Sequence, residues 1–303
     1  MDAHDHFKEK LFDVEHALNM YARSFVVLPA FALYDEALLR QHAETLETCH
    51  IYLIGLLPRI EPGEPRIEND ELVTSYKILG ATRELRWSVP HGSRIESDAD
   101  QWWVTVNPGE RFGPSERMVE KRLNSELDAL RFEVLYIGQS YGKEGSRNAV
   151  DRLLRHETLQ KISLLGIPES HQLYVLLLEI EPANRLITVM NPFAKNKDEG
   201  NQRIRGGLDK LFNTDEAERV TLYEASLIRY FQPRYNREFK NSFPSTNMKI
   251  LADCYDKDFS ALIAEICIDE LPFKMFTEAV LASQYHSAKH DLHDDIARKV
   301  FFS

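Results

Sequence analysis

The sequence predicts an α+β fold: a small mixed or antiparallel sheet flanked by helices, with a β-rich N-terminal domain before it and a short C-terminal α/β extension after it. Three observations predict it. Short β-branched runs crowd the first third of the chain and are punctuated by proline and glycine. The middle of the chain alternates strand-like and helix-like hydrophobic spacing. Over 303 residues, 43% hydrophobic and 28% charged side chains supply apolar material for a sizeable core.

Taken in order, Phe7, Leu11, Val14 and Leu18 recur at helical spacing, which predicts an opening helix over 7–20. Strand-like runs follow at 25–27, 51–57, 72–79 and 102–106, with breaks at 58–65 and 90–92. A charged helix is expected over 114–130, with Met118, Leu127 and the stem of Arg122 inward, leading into a strand at 132–138 that ends in Gly138. Beyond a polar loop, Val150, Leu153, Leu154, Thr158 and Ile162 predict a helix over 147–165. The nearly continuous apolar run 172–181 reads as a buried strand, and 182–212, with its basic and glycine-bearing stretch, as a surface loop. Thr214 is the expected N-cap of a helix with Asp215 and Glu216 in its first turn, running to Phe231 and stopped by Pro233. Strands at 262–268 and 273–276 and a His-rich helix complete the chain. This gives a β-rich domain over 1–110, a central α/β domain over 111–247 and an extension over 248–303.

The formal net charge of −11 excludes a bulk-basic nucleic-acid coat protein. It is unevenly spread: residues 131–250 hold 18 Lys plus Arg against 15 Asp plus Glu, so the excess acid lies in the flanks. No apolar run reaches the ~18 residues of a membrane span, and the charged first ten residues do not resemble a signal peptide. Cys49, Cys254 and Cys267 form no CxxC and read as reduced thiols, the expectation for a cytoplasmic protein.

The chemistry-bearing residues fall in the middle. Tyr136-Ile137-Gly138 closes the strand at 132–138; Arg152 and His156, i and i+4, would project from one helix face. Glu224 is a lone carboxylate among Leu222, Leu227, Ile228 and Phe231, and its helix leads into Pro233, Arg234, Tyr235 and Asn236. Tyrosine, arginine, histidine and one glutamate suit phosphodiester hydrolysis. The carboxylate can hold a hard divalent cation, which polarises phosphoryl oxygens. Arginine neutralises charge on the non-bridging oxygens, and tyrosine or histidine takes a proton from water. Read singly, each residue has a plain structural explanation: a glycine turn, a solvated helix face, a surface ion pair.

In their order along the chain these residues resemble the GIY-YIG nuclease superfamily over roughly residues 100–240. Tyr136-Ile137-Gly138 is similar to its second motif, Arg152 to His156 to its first-helix RxxxH, and Glu224 to Asn236 to its closing E…PxxN. The resemblance implies a metal-dependent endonuclease acting on DNA with Mg²⁺ or Mn²⁺. It implies Glu224 as metal ligand, Arg152 as phosphate clamp, Tyr136 as catalytic hydroxyl, and His156 as base or phosphate contact. Gly138 would be structural, and Asn236 would brace the site or contact substrate together with Lys143, Arg155, Arg234 and Arg237, with Lys240 a further candidate for phosphate contact. By family habit the role would be in restriction, phage defence or a mobile element, with the acidic flanks serving assembly or a targeting partner. The expected first-motif tyrosine is missing from the best local candidate, Trp102 to Val106. That leaves a catalytically impaired nucleic-acid- or protein-binding module as the alternative.

Two other features compete for a role. His286, His290 and His293 would share a face of the predicted C-terminal helix beside Asp294, a conceivable zinc set against the plainer polar helix face. Trp102 and Trp103 could stack on bases, although core or strand-pairing positions are the commoner use.

Overall fold

The computed structural model describes residues 7–98, 101–107, 110–141, 149–198 and 201–302. Their strands are β1 (Val14–Pro29), β2 (Ile51–Pro58), β3 (Glu61–Pro62), β4 (Arg66–Glu68), β5 (Glu71–Ile78), β6 (Ala81–Ser88), β7 (Arg94–Asp98), β8 (Gln101–Asn107), β9 (Glu110–Phe112), β10 (Arg131–Gln139), β11 (His171–Ile180), β12 (Arg185–Met190), β13 (Ala261–Cys267), β14 (Lys274–Phe276) and β15 (Tyr285–Asp291). The α-helices are α1 (Glu36–Gln41), α2 (Ala43–Thr48), α3 (Glu116–Leu127), α4 (Ala149–Leu153), α5 (Glu157–Leu164), α6 (Gln202–Asn213), α7 (Glu216–Phe231) and α8 (Ala252–Asp256).

The architecture is mixed α+β. Among the described residues, β14, β10, β2, β11, β1, β13 and β15 lie side by side in one curled eight-stranded sheet, with β12 also on β1. This sheet is larger than the small one the sequence predicts. It takes β1 and β2 from residues 1–110, β10 to β12 from 111–247 and β13 to β15 from 248–303, so the three sequence segments share it. The strands β3 to β9 form two smaller sheets between β2 and α3.

The opening stretch is a strand, not a helix. From Val14 to Met20 every residue of β1 is buried, because its first half is flanked by β12 and β13 and covered on both faces. A strand buried on both sides carries no alternation, so the 3–4 spacing of its apolar residues was fortuitous. A register shift between Ala22 and Ser24 bends β1 where β12 takes over from β11. Two of its buried polar side chains bond across the fold: His16 Nδ1 meets Thr188 Oγ1 at 2.9 Å, and Asn19 Nδ2 donates to Glu265 at 3.0 Å.

Other expectations change for local reasons. The predicted loop 182–212 contains β12 and α6, the latter packing so closely on β1 that a Cβ on Gly207 would lie 2.7 Å from the His16 ring. Asp215, rather than Thr214, caps α7, accepting the Glu218 N–H at 2.7 Å. Trp103 bonds Glu96 at 3.2 Å and lies under Arg111, and Trp102 packs on the core, so both serve the β7–β9 sheet. No helix among the described residues is long and apolar enough to cross a membrane.

The C-terminal histidines sit on a strand, which removes the zinc set. In β15, His286 and His290 point inward, and their ring nitrogens go to separate acceptors: Ser283 O at 2.9 Å and Ser226 O at 3.1 Å. His293 bonds Phe259 O at 3.0 Å. Burial pushes the His290 pKa down to about 4. The unfolded chain therefore binds a proton that the folded chain refuses as pH falls from about 6.5 to about 4, and stability drops across that window. Replacing His290 by Gln is expected to remove about 2–3 kcal/mol of this acid sensitivity, measured as the slope of unfolding free energy against pH.

Candidate active site

The site forms where the paired strands β2 and β10 meet α7. These strands are antiparallel, with Gly138 directly opposite Tyr52. The Tyr52 ring lies over that glycine: a Cβ on Gly138 would stand 2.6 Å from the Tyr52 hydroxyl and 2.8 Å from the Tyr136 ring. Gly138 is thus required by close approach, since its φ is not in the left-handed region. Gly138→Ala is expected to displace Tyr52, lowering any activity of the cleft at least about tenfold while costing about 1–3 kcal/mol by overpacking, read from cleavage assays and denaturant unfolding in parallel.

On its other edge β10 has, among the described residues, no neighbouring strand beyond Glu133, where its pairing with β14 ends. Asn236 fills that gap. Its Oδ1 accepts the Ile137 N–H at 2.9 Å and its Nδ2 donates to Ile137 O at 2.8 Å, while Tyr235 N donates to Leu135 O. Asn236 is 8% exposed and bonds Ile137 through both Oδ1 and Nδ2, so it braces the sheet edge. Gln232, left-handed at φ 52°, ends α7 and turns the chain through Pro233 to reach this position.

The expected helix over 147–165 is two helices, α4 and α5, broken at 154–156. Arg152 closes α4. His156 caps α5, its Nδ1 accepting the Leu159 N–H at 3.4 Å. With Nδ1 accepting from the backbone, the neutral ring carries its proton on Nε2. Its ring lies 4.9 Å from that of Tyr136 and 5.4 Å from that of Tyr52. Burial and the Arg152 charge lower its pKa, keeping it neutral.

Tyr52, Tyr136, Arg152 and Glu224 line one cleft of about 580 Å³, together with Gln139, Lys161, Arg237 and Glu238. Arg155 and Arg234 are exposed but do not line it, and Lys240 contributes its carbonyl to Arg229 at 2.6 Å. Lys143 lies outside the described residues. Tyr52 is the cleft residue that the sequence reading missed. Its signal was the Ile51-Tyr52 pair opening an apolar strand, in the position of an Ile-Tyr motif but about 80 residues ahead of Tyr136. The strands of the β3–β9 sheets separate the two in sequence, while the ladder puts them side by side.

The cleft's electrostatics are coupled. Burial raises the pKa of Tyr52 and Tyr136; Glu224 adds to both, and Arg152 opposes both. The Tyr52 and Tyr136 rings stack with centroids 6.3 Å apart, and the Arg152 side chain lowers the pKa of both against the larger effect of burial. Glu224 is 8% exposed, and burial with the Glu238 charge pushes its carboxyl up to about 8, against the pull of the Gln139 amides. Among the described residues Arg152, Lys161, Arg237, Glu224 and Glu238 form no ion pair. Elsewhere on the surface, arginines such as Arg66, Arg86 and Arg122 pair closely with carboxylates. A buried, unpaired carboxylate is costly and fits a cation acceptor. Among the described residues no cluster of three or more His, Cys, Asp or Glu could hold a metal, so a cation here would take most of its ligands from water and substrate.

No protein-family model, curated protein or solved structure matches the chain.

Proposed function

We propose that the protein is a metal-dependent endonuclease of GIY-YIG type that hydrolyses phosphodiester bonds in DNA. The observation that carries this reading is the convergence of Tyr52, Tyr136, Arg152 and Glu224 on one cleft with the charges left unpaired. Tyr52 also supplies the first-motif tyrosine whose lack was the main support for an impaired member. Glu224 would hold Mg²⁺ or Mn²⁺, and the cation would supply Lewis-acid stabilisation of the phosphoryl oxygens.

The chain's own groups divide the remaining work. Arg152 neutralises charge building on a non-bridging oxygen. Tyr136, half-buried and facing the cleft, is placed to take the proton of the attacking water; burial and the Glu224 charge raise its pKa, and the Arg152 charge and a bound cation would work against that rise. His156, buried and packed against the Tyr52 and Tyr136 rings, holds the two tyrosines in place from behind. Arg237 and Lys161 extend the positive wall along which a strand would run. With basic and acidic side chains both present, non-specific binding should be weak, which fits targeting through the acidic flanks.

Plasmid nicking with Mg²⁺ tests the reading. The expected result is conversion of supercoiled DNA to open-circle or linear forms, lost on chelation and restored by added Mg²⁺ or Mn²⁺. Intact nucleic-acid binding without cleavage of duplex DNA, single-stranded DNA or RNA would instead support the binding module.

A further inference from the structure

We propose that Glu238 supplies a second carboxylate to the divalent cation held by Glu224, so that the cleft binds its ion before nucleic acid arrives. The inference rests on the cation-dependent reading above and adds a ligand to it. Glu224, on α7, and Glu238, on the segment after the Asn236 brace, line the same cleft. Glu224 is nine-tenths buried there, and a carboxylate in such a position without an ion-pair partner is costly. Arg152, Lys161 and Arg237 line the same cleft, yet among the described residues none forms an ion pair with either carboxylate. The missing partner of the two acids is therefore a cation from outside the chain.

The backbone carrying Glu238 is held on both sides. Asn236 is bonded twice to Ile137. The carbonyl of Lys240 accepts from Arg229 Nη1 and from Gln232 Nε2, both at 2.6 Å. Between them Phe239 sits in the left-handed region at φ 63° with its ring against Phe243. A non-glycine residue held there costs free energy and persists only where its surroundings fix it. Although exposed, Glu238 is thus presented from a fixed loop. Hard divalent cations are commonly held by one or two carboxylates, with water and substrate phosphate filling the remaining octahedral positions.

The test is Mn²⁺ binding to the full chain without nucleic acid, followed by electron paramagnetic resonance and calorimetry. The wild-type protein is expected to bind one Mn²⁺, Glu224→Gln to abolish binding, and Glu238→Gln to weaken it at least about tenfold. Glu169→Gln, which removes the same charge from an exposed position outside the cleft, should leave the affinity within about twofold. Thermal melts check that Glu238→Gln remains folded. Wild-type affinity in Glu238→Gln, or an equal loss in Glu169→Gln, would overturn the second-ligand assignment while leaving the Glu224 site standing. No binding to the wild-type chain would instead remove the cation-dependent reading itself.

Discussion

Glu224→Gln should abolish cleavage and make the protein more stable. The isosteric amide keeps the shape of the side chain but removes the only buried carboxylate of the cleft, so cleavage should fall by at least about 10³-fold, the scale of losing electrostatic stabilisation of a developing charge. Stability should move the other way. The Glu224 carboxyl titrates near 8 in the folded chain against an ordinary carboxylate value in the unfolded one. A group whose pKa is raised by folding gives its full contribution below the unfolded value and loses it as pH rises through the folded one. Between about pH 4.5 and 8 the wild-type protein should therefore become progressively less stable on account of this residue, by about 2–4 kcal/mol. Glu224→Gln should flatten that part of the profile and be the more stable protein at pH 8, as denaturant unfolding at several pH values would reveal. A loss of activity accompanied by a loss of stability would mean that Glu224 is a structural residue. The expected pairing of gain and loss is the mark of a site kept at the expense of stability.

The largest stability effect should come from Glu15→Ala, far from the cleft. Glu15 is 1% exposed and joins three distant parts of the chain. Its Oε1 accepts from Arg298 Nε at 2.8 Å, its Oε2 from Arg203 Nη2 at 2.6 Å, and Ser260 donates to it as well. Asp258 pairs with both guanidiniums, reaching Arg298 Nη1 at 2.8 Å, and the Phe12 ring lies against both arginines. Removing the carboxylate leaves two largely buried guanidiniums short of charge, which should cost about 3–5 kcal/mol. The triple replacement Glu15→Leu, Arg203→Met and Arg298→Met should cost less than the single one, because no buried charge then lacks its partner. Equilibrium urea unfolding of both variants, read by fluorescence and circular dichroism, measures the difference. Equal costs would mean that packing, rather than uncompensated charge, dominates at this corner.

The central part of the fold was legible because its elements carry local signals. The strand at 132–138, the buried run at 172–181 and the helix stopped by Pro233 each end where glycine, composition or proline says they should. The ends of the chain were not legible. β1 lies between two strands and buries both faces, so its hydrophobic pattern matched a helix as well as a strand. β15 alternates histidines with small and polar residues, and what holds those histidines is a set of backbone carbonyls from other elements.

At the candidate site, the sequence by itself determined the chemical inventory: a tyrosine before a glycine-ended strand, an arginine, a histidine, a buried glutamate and an asparagine past a proline. It could not determine which other tyrosine lies beside Tyr136, since residue type and spacing say nothing about pairing between strands separated by two small sheets. Only the β2–β10 register, which sets Tyr52 over Gly138, decided that. The tertiary structure likewise turned Asn236 into a brace for the strand edge and His156 into a helix cap. It also left five charged side chains of one cleft without ion pairs among the described residues. The physical reason is common to all of these: a side chain's role follows from which hydrogen-bonding and charged groups the fold leaves unsatisfied around it, and those groups come from parts of the chain that no local pattern connects.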